Sequence, residues 1–217
     1  MFRDMHPTPN ISHITREDYN DVYEPSEDSF LLMDVLENDV QAITKIRPMI
    51  CLEVGSGTGV VSCFLATLLQ QPCMFWMTDI NTKASQVSMN TMRQNKVYMT
   101  DAITSDLTTG LMDRLQGKVD LLLCNPPYVP TPLQEVGSNG IAASWAGGNN
   151  GREVIDRLLP AVNKLLSPQG LFYLLCVKEN KPDEIMATLQ TDNISGCVAM
   201  QRRAHNEFLM VLRFNHS

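Results

Sequence analysis

Cys51-Leu52-Glu53-Val54-Gly55-Ser56-Gly57-Thr58-Gly59 is an apolar run that carries one acidic residue and breaks into alternating glycines. Glycine allows a sharp backbone turn and close approach of a ligand to the main chain, so the stretch reads as strand, tight turn and helix start. Helical periodicity follows at once over 60–70. A glycine-rich turn is often only a turn, but two acidic residues point to a ligand. Glu53 stands before the glycines, and Asp79 closes the next apolar run about 20 residues on, where an acidic side chain can accept both hydroxyls of a ribose.

Outward from this turn the chain alternates. Apolar runs bounded by Gly, Pro, Asn or Asp fall at 49–54, 73–78, 97–103, 119–124 and 171–177, with helical periodicity between them at 60–70, 82–94, 152–166 and 182–190. Such alternation marks βα units wound into a parallel sheet, an α/β fold. Two β-rich runs at 196–201 and 207–214, joined by a short polar connection, predict an antiparallel hairpin on the sheet edge. Ahead of the first strand, 26–40 carries apolar residues at helix spacing, with Ser26 as the expected cap. Residues 1–18 show no periodicity and are expected to be loose, leaving 19–217 as a single domain. The stretch 129–151, with Pro130, Pro132 and clustered glycines, fits no element, and loops of that length in a compact domain are usually functional or mobile.

A length of 217 residues suits one core, since single domains run to about 200–250 residues before chains split. With 44% hydrophobic and 19% charged residues the chain can bury that core. Seventeen basic against 24 acidic residues leave a net charge of −7, the wrong sign for binding that neutralises many phosphates. No apolar run approaches the roughly 18 residues that span a bilayer, and the start lacks the apolar centre of a secretory leader. The cytosol, with the nucleus as a second compartment, is the expected location. Six cysteines form no C-x-x-C pair and mostly sit in apolar runs, while the four histidines lie near the two ends. Buried reduced thiols and no metal site are expected.

The second informative stretch is Asn125-Pro126-Pro127-Tyr128, directly after an apolar strand. Consecutive prolines cannot join a hydrogen-bonded ladder and they fix the backbone, so Asn125 and the Pro126 carbonyl are held rigidly at a strand's carboxyl end. Rigid acceptors of that kind suit an NH2 group. Tyr128 fits either packing against a flat amide or plain core packing, and Trp145 either substrate contact or loop anchoring.

Together these stretches resemble a known family. The pattern E-x-G-x-G-x-G at 53–59, Asp79, Asp106 and N-P-P-Y at 125–128 are similar to the motifs of class I S-adenosylmethionine amino methyltransferases, whose targets are adenine N6, cytosine N4 or the side-chain amide of glutamine. Val22-Tyr23-Glu24-Pro25-Ser26-Glu27-Asp28-Ser29 is similar to the Y-x-P-x-E-D-[ST] signature of the HemK protein glutamine N5-methyltransferases, with Ser29 where relatives carry Thr. The run 145–153 resembles the matching segment of the short eukaryotic and archaeal branch, which acts on the Gly-Gly-Gln glutamine of class 1 peptide release factors. The likeness covers roughly residues 20–214.

The resemblance implies a Rossmann-like, mostly parallel sheet of seven strands ordered 3-2-1-4-5-7-6 with a C-terminal antiparallel hairpin. It places S-adenosylmethionine against Gly55, Gly57 and Gly59, with Glu53 at its ammonium, Asp79 at its ribose and Asp106 at its adenine amino group, and with Ser29 and Asn125 at the same site. Asn125 and Pro126 would then accept the two amide hydrogens of the substrate, with Pro127, Tyr128 and Trp145 around it. An adenine N6 would fit the same acceptors, so nucleic-acid methylation stays open, as do histone-lysine methylation and a non-catalytic cofactor scaffold. The acidic charge speaks against the first and the filled motif positions against the last. Members of this branch work with a small zinc-binding activator subunit, and strand addition along the apolar edge at 97–103 is expected to hold it.

Overall fold

Side chains that alternate along buried strands fill two cores, one on each face of a single sheet. The structure is a computed structural model and describes residues 6–137 and 140–216. β1 (Ile50–Val54), β2 (Met74–Asp79), β3 (Thr100–Thr104), β4 (Val119–Cys124), β5 (Leu166–Val177), β6 (Ile194–Ala204) and β7 (Glu207–His216) join in the order β3-β2-β1-β4-β5-β7-β6. The first five run parallel, and the β6–β7 hairpin adds the antiparallel pair, so the expected fold class and strand order hold.

Cys51, Leu121, Leu123, Tyr173 and Leu175 point into one core, which α1 (Glu27–Asn38), α2 (Val40–Lys45) and α3 (Val60–Leu69) cover. Leu52, Leu122, Phe172 and Leu174 point into the other, against α5 (Met112–Leu115), α6 (Glu153–Leu165) and α7 (Pro182–Gln190). α4 (Thr82–Gln94) packs on β2 and β3, and its first turn is capped by Asn81, whose side chain accepts the Lys83 N–H at 2.9 Å. Each fully buried aliphatic side chain contributes about 1.5–3 kcal/mol, so the doubly covered strands β1, β4 and β5 anchor the frame that carries the site.

Several expectations at element ends are corrected. Ser26 sits at the α1 N-cap without a side-chain cap bond; Asp28 instead accepts the Ser29 N–H at 2.6 Å. The periodic run at 26–40 breaks at Asp39 and restarts as α2, which seats the fully buried Ile43. β3 spans 100–104 and not 97–103, because the Val97 N–H closes the end of α4 on the Met92 carbonyl, leaving 97–99 as the turn into the strand. β5 starts five residues early, since Leu166 already pairs with Val119 ahead of an irregularity. Cys197 is exposed, while the other five cysteines are buried and free.

The N-terminal run was expected to be loose, yet its described part is tied down. Asn10 and the Asn95 side chain exchange two hydrogen bonds at 2.8 and 2.9 Å, Ile11 packs on the core, and Asp18 pairs with Lys83 at 2.7 Å. These partners lie on or just after α4, far along the chain, so local periodicity carries no trace of them. Residues 1–5 lie outside the described residues.

Candidate active site

β1 and β4 are neighbours in the sheet, but the chain leaves them in opposite directions, and ligands of open α/β sheets bind in the crevice this opens at the carboxyl ends. The cavity there is bounded by the 55–58 loop, Asp79, Asp106, the 21–23 strap, Asn125 to Tyr128, and Trp145. The fold therefore brings Glu53 to Thr58 and Asn125 to Tyr128 to one place, while Gly59 stands outside the cavity wall at the start of α3.

All three motif glycines have positive φ, +77° at Gly55, +51° at Gly57 and +73° at Gly59. A Cβ on Gly59 would lie 2.8 Å from Ser88 Cβ, so this glycine is required for α3 to start against α4. A Cβ on Gly57 would meet nothing within 4 Å, so its backbone faces open cavity. Asp79 shapes this loop: one carboxylate oxygen accepts the Gly57 N–H and the other the Asn81 N–H, each at 2.9 Å. Burial raises the Asp79 pKa, and those two N–H bonds oppose the rise.

Glu53 is 2% exposed and accepts the Ser62 N–H, a free donor of the first turn of α3, at 3.1 Å. Burial pushes its carboxyl up to about 7. A cationic ligand group beside it would favour the ionised form. The hydroxyls of Ser56 and Thr78, both in the cavity wall, are buried without a hydrogen-bond partner among the described residues. Unpaired donors, an open glycine backbone and a desolvated carboxyl fit a polar, zwitterionic ligand with a ribose, which is the chemistry of S-adenosylmethionine.

At the other motif, Asn125 donates its side-chain N–H to Asp28 Oδ2 at 3.2 Å, and its own oxygen is buried with no partner among the described residues. Asp28 is 4% exposed and its Oδ2 also accepts from Tyr23 at 3.1 Å and Tyr128 at 3.4 Å. The Tyr128 hydroxyl lies 3.2 Å from Glu207 Oε2, and burial beside two carboxylates holds it far above the usual phenol range. Ser29 lines the cavity with its hydroxyl on Asp28 Oδ1 at 3.3 Å.

Asp106 reaches the cavity rim but is ion-paired there with Arg157 of α6. Trp145 presents a part-exposed ring to the cavity while its carbonyl accepts the Val129 N–H at 2.9 Å, so it both anchors the loop and lines the site. The loop 129–151 folds back on itself through a short parallel bridge between Val129 and Ala146 and forms a cavity wall through Val136, Ala143 and Ser144. Asn180, fully buried, donates to the carbonyls of Tyr128 and Asn150, each at 2.8 Å, and so pins the loop to the end of β5.

Sequence reasoning missed Asn180, Arg157 and Glu207, each among other polar residues with nothing local to single it out and far along the chain from the motif it contacts. Asp28 and Tyr23 stood in the quoted signature without a role of their own. Among the described residues no group of three or more His, Cys, Asp or Glu is placed to hold a metal, and no helix is long and apolar enough to cross a membrane.

A sheet of this order with a glycine-loop cavity at its switch point defines a class I S-adenosylmethionine-dependent methyltransferase. Residues 27–138 match the family described as the methyltransferase small domain. The chain is 52% identical over 211 residues, 97% of each chain, to Methyltransferase HEMK2 of Mus musculus. It is 36% identical over 217 residues to the eRF1 methyltransferase catalytic subunit mtq2 of Schizosaccharomyces pombe, covering 95% of this chain and 94% of that one. The solved E. cuniculi Mtq2–Trm112 complex, responsible for methylation of the eRF1 translation termination factor, aligns with a TM-score of 0.64 at 28% identity over 90% of this chain and 99% of that one. The chain belongs to the HemK-type methyltransferases that HEMK2 and Mtq2 represent.

Proposed function

We propose that the chain methylates the side-chain amide nitrogen of a glutamine in a peptide release factor. The observation that carries this reading is the Asn125 oxygen, buried, unpartnered among the described residues and oriented by Asp28, beside the rigid carbonyl of Pro126. Relatives named for eRF1 methylation support the choice of substrate.

S-adenosylmethionine supplies a methyl group activated by its sulfonium. In this reading Glu53 would hold the cofactor's ammonium, Asp79 its ribose and Asp106 its adenine amino group, the backbone of Gly55 and Gly57 would lie against it while Gly59 shapes the turn into α3, and Ser29 and Asn125 would complete the wall. An amide nitrogen is a weak nucleophile because its lone pair is delocalised into the carbonyl. Asn125 and the Pro126 carbonyl accept its two hydrogens, fix it beside the methyl donor and stabilise the charge that develops as the N–C bond forms. Pro127 and Tyr128 exclude water, and Trp145 with the 129–151 loop forms the wall that a Gly-Gly-Gln turn enters.

A small zinc-binding subunit of the Trm112 kind adds a strand along β3, the sheet edge, where Tyr98 and Met99 are 76% and 51% exposed. The cytosol, where release factors act, is the matching location.

The test is mass spectrometry of a release factor after incubation with labelled cofactor and the chain co-produced with a Trm112-type partner. One methyl on the Gly-Gly-Gln glutamine is expected; methyl on duplex DNA and none on protein would overturn the reading. Asn125→Ala should lose most turnover yet keep cofactor affinity, and turnover within about threefold of the parent would reject the amide-acceptor role.

A further inference from the structure

Methylation of a neutral amide leaves one proton too many on nitrogen, and neither the Asn125 side-chain oxygen nor the Pro126 carbonyl is basic enough to carry it away. Asp28, which contacts the Asn125 amide, borders the methyl-transfer cavity and also a second cavity that lies against the β6–β7 turn. Tyr23 and Tyr128 border both cavities as well, and each donates to Asp28 Oδ2. On the far side, the Tyr128 hydroxyl meets exposed Glu207, which lines the second cavity with Glu27 and His205. A buried carboxylate, a phenol and an exposed carboxylate thus stand in a line, with 3.4 and 3.2 Å steps, from the reacting side to solvent.

We propose that Asp28, Tyr128 and Glu207 form the route by which the amide proton leaves, an inference that rests on the glutamine reading above. The nitrogen lone pair forms the N–C bond as the methyl–sulfur bond breaks, its electron pair staying on sulfur. Asn125 links the two: its side-chain oxygen takes one N–H proton as its own N–H gives a proton to the Asp28 carboxylate, and the imidic-acid form this leaves reverts to the amide before the next turnover. Tyr128 then takes that proton from Asp28 while giving its own hydroxyl proton to Glu207, so no charge stays on the phenol. Glu207 releases the proton to water in the second cavity. One phenolic hydrogen between two carboxylates can point to either, and these are the two states such a relay needs. Tyr23 donates to Asp28 but does not reach Glu207 in this network, so it steadies Asp28 without passing the proton on.

Single-turnover methyl transfer to a release factor, measured with the partnered chain, tests the route. Glu207→Ala should slow the step about tenfold or more while cofactor titration and thermal unfolding stay at the parent values, and formate, small enough for the vacated space, should restore the rate. Glu207→Gln, which keeps the hydrogen bond to Tyr128 but cannot take a proton, should be as slow as the alanine variant. Full activity of Glu207→Gln would assign Glu207 a purely structural role and overturn the route, as would an alanine variant within twofold of the parent. Tyr128→Phe, which breaks the line at its centre, should match the slow variants, and a fast Tyr128→Phe would also reject the proposal. Methyl absent from the glutamine with the unaltered chain would instead overturn the substrate reading itself.

Discussion

Asp28 fixes which end of the Asn125 amide faces the cavity: the carboxylate takes the Asn125 N–H at 3.2 Å, and the amide oxygen is left buried without a partner among the described residues. An ionised carboxylate can only accept, so the amide cannot turn round without losing this bond. Leaving a buried acceptor unpaired costs about 1–3 kcal/mol, and an incoming NH2 removes that cost. Asp28→Asn keeps the shape but can donate as well as accept, which frees Asn125 to flip. Turnover should fall by about tenfold or more with cofactor affinity within about threefold, read from single-turnover rates and calorimetric titration. An unchanged rate would mean that something else orients Asn125.

Glu53 makes the free chain's stability depend on pH. Its carboxyl titrates near 7 in the folded chain against an ordinary value of 4.5, with burial the largest cause. Between those values the folded state binds more protons than the unfolded one, so stability is fully present below 4.5 and falls as pH rises towards 7. The loss amounts to about 3 kcal/mol at most. Without cofactor, Glu53→Gln should therefore match the parent in urea unfolding at pH 4.5 and exceed it at pH 8. The same variant should bind S-adenosylmethionine more weakly at pH 8, because the ligand's ammonium loses its charge partner. Tighter or equal binding would remove Glu53 from that role.

Two glycines of the loop should fail in different ways. Gly59→Ala places a Cβ 2.8 Å from Ser88 at φ +73°, which should destabilise the chain by about 2 kcal/mol or more in thermal melts. Gly57→Ala meets no atom within 4 Å, so it should cost only about 1 kcal/mol from its positive φ. Its methyl group projects into the cavity, and cofactor affinity should drop at least about tenfold. Parent-like affinity would show that the ligand does not lie against Gly57.

Tyr98 and Met99 lie just before β3 with most of their surface in water. Replacing both with glutamate should change the chain's own stability by no more than about 0.5 kcal/mol, since exposed positions away from special features tolerate substitution. Co-purification with a Trm112-type partner should be lost, because charge on the patch opposes docking. Undiminished co-purification would place the partner elsewhere.

Much of this architecture was legible in local pattern. The buried strands β1, β4 and β5 stand out because both faces are covered, and α4 and α7 begin and end where their periodicity predicts. The pattern misled at 97–99, where Val97, Tyr98 and Met99 continue an apolar run although the Val97 N–H is committed to α4. An apolar residue that waits for a partner and one that belongs to a strand look the same in one dimension. The same holds for the N-terminal run, whose order comes from side chains on and just after α4 more than 60 residues away.

Spacing alone marked Glu53, Asp79 and Asn125 to Tyr128, because a tight turn and a double proline impose backbone geometry within a few residues. The tertiary structure decided that Asp28 governs Asn125, that Arg157 engages Asp106, that Asn180 pins the 129–151 loop and that Glu207 reaches Tyr128. Those contacts join residues 30 to 97 positions apart along the chain, and each depends on two polar groups being buried or brought close by the sheet order. Backbone preference is local and can be read along a chain; hydrogen-bond partnership across the fold is chosen by packing, and only three-dimensional proximity reveals it.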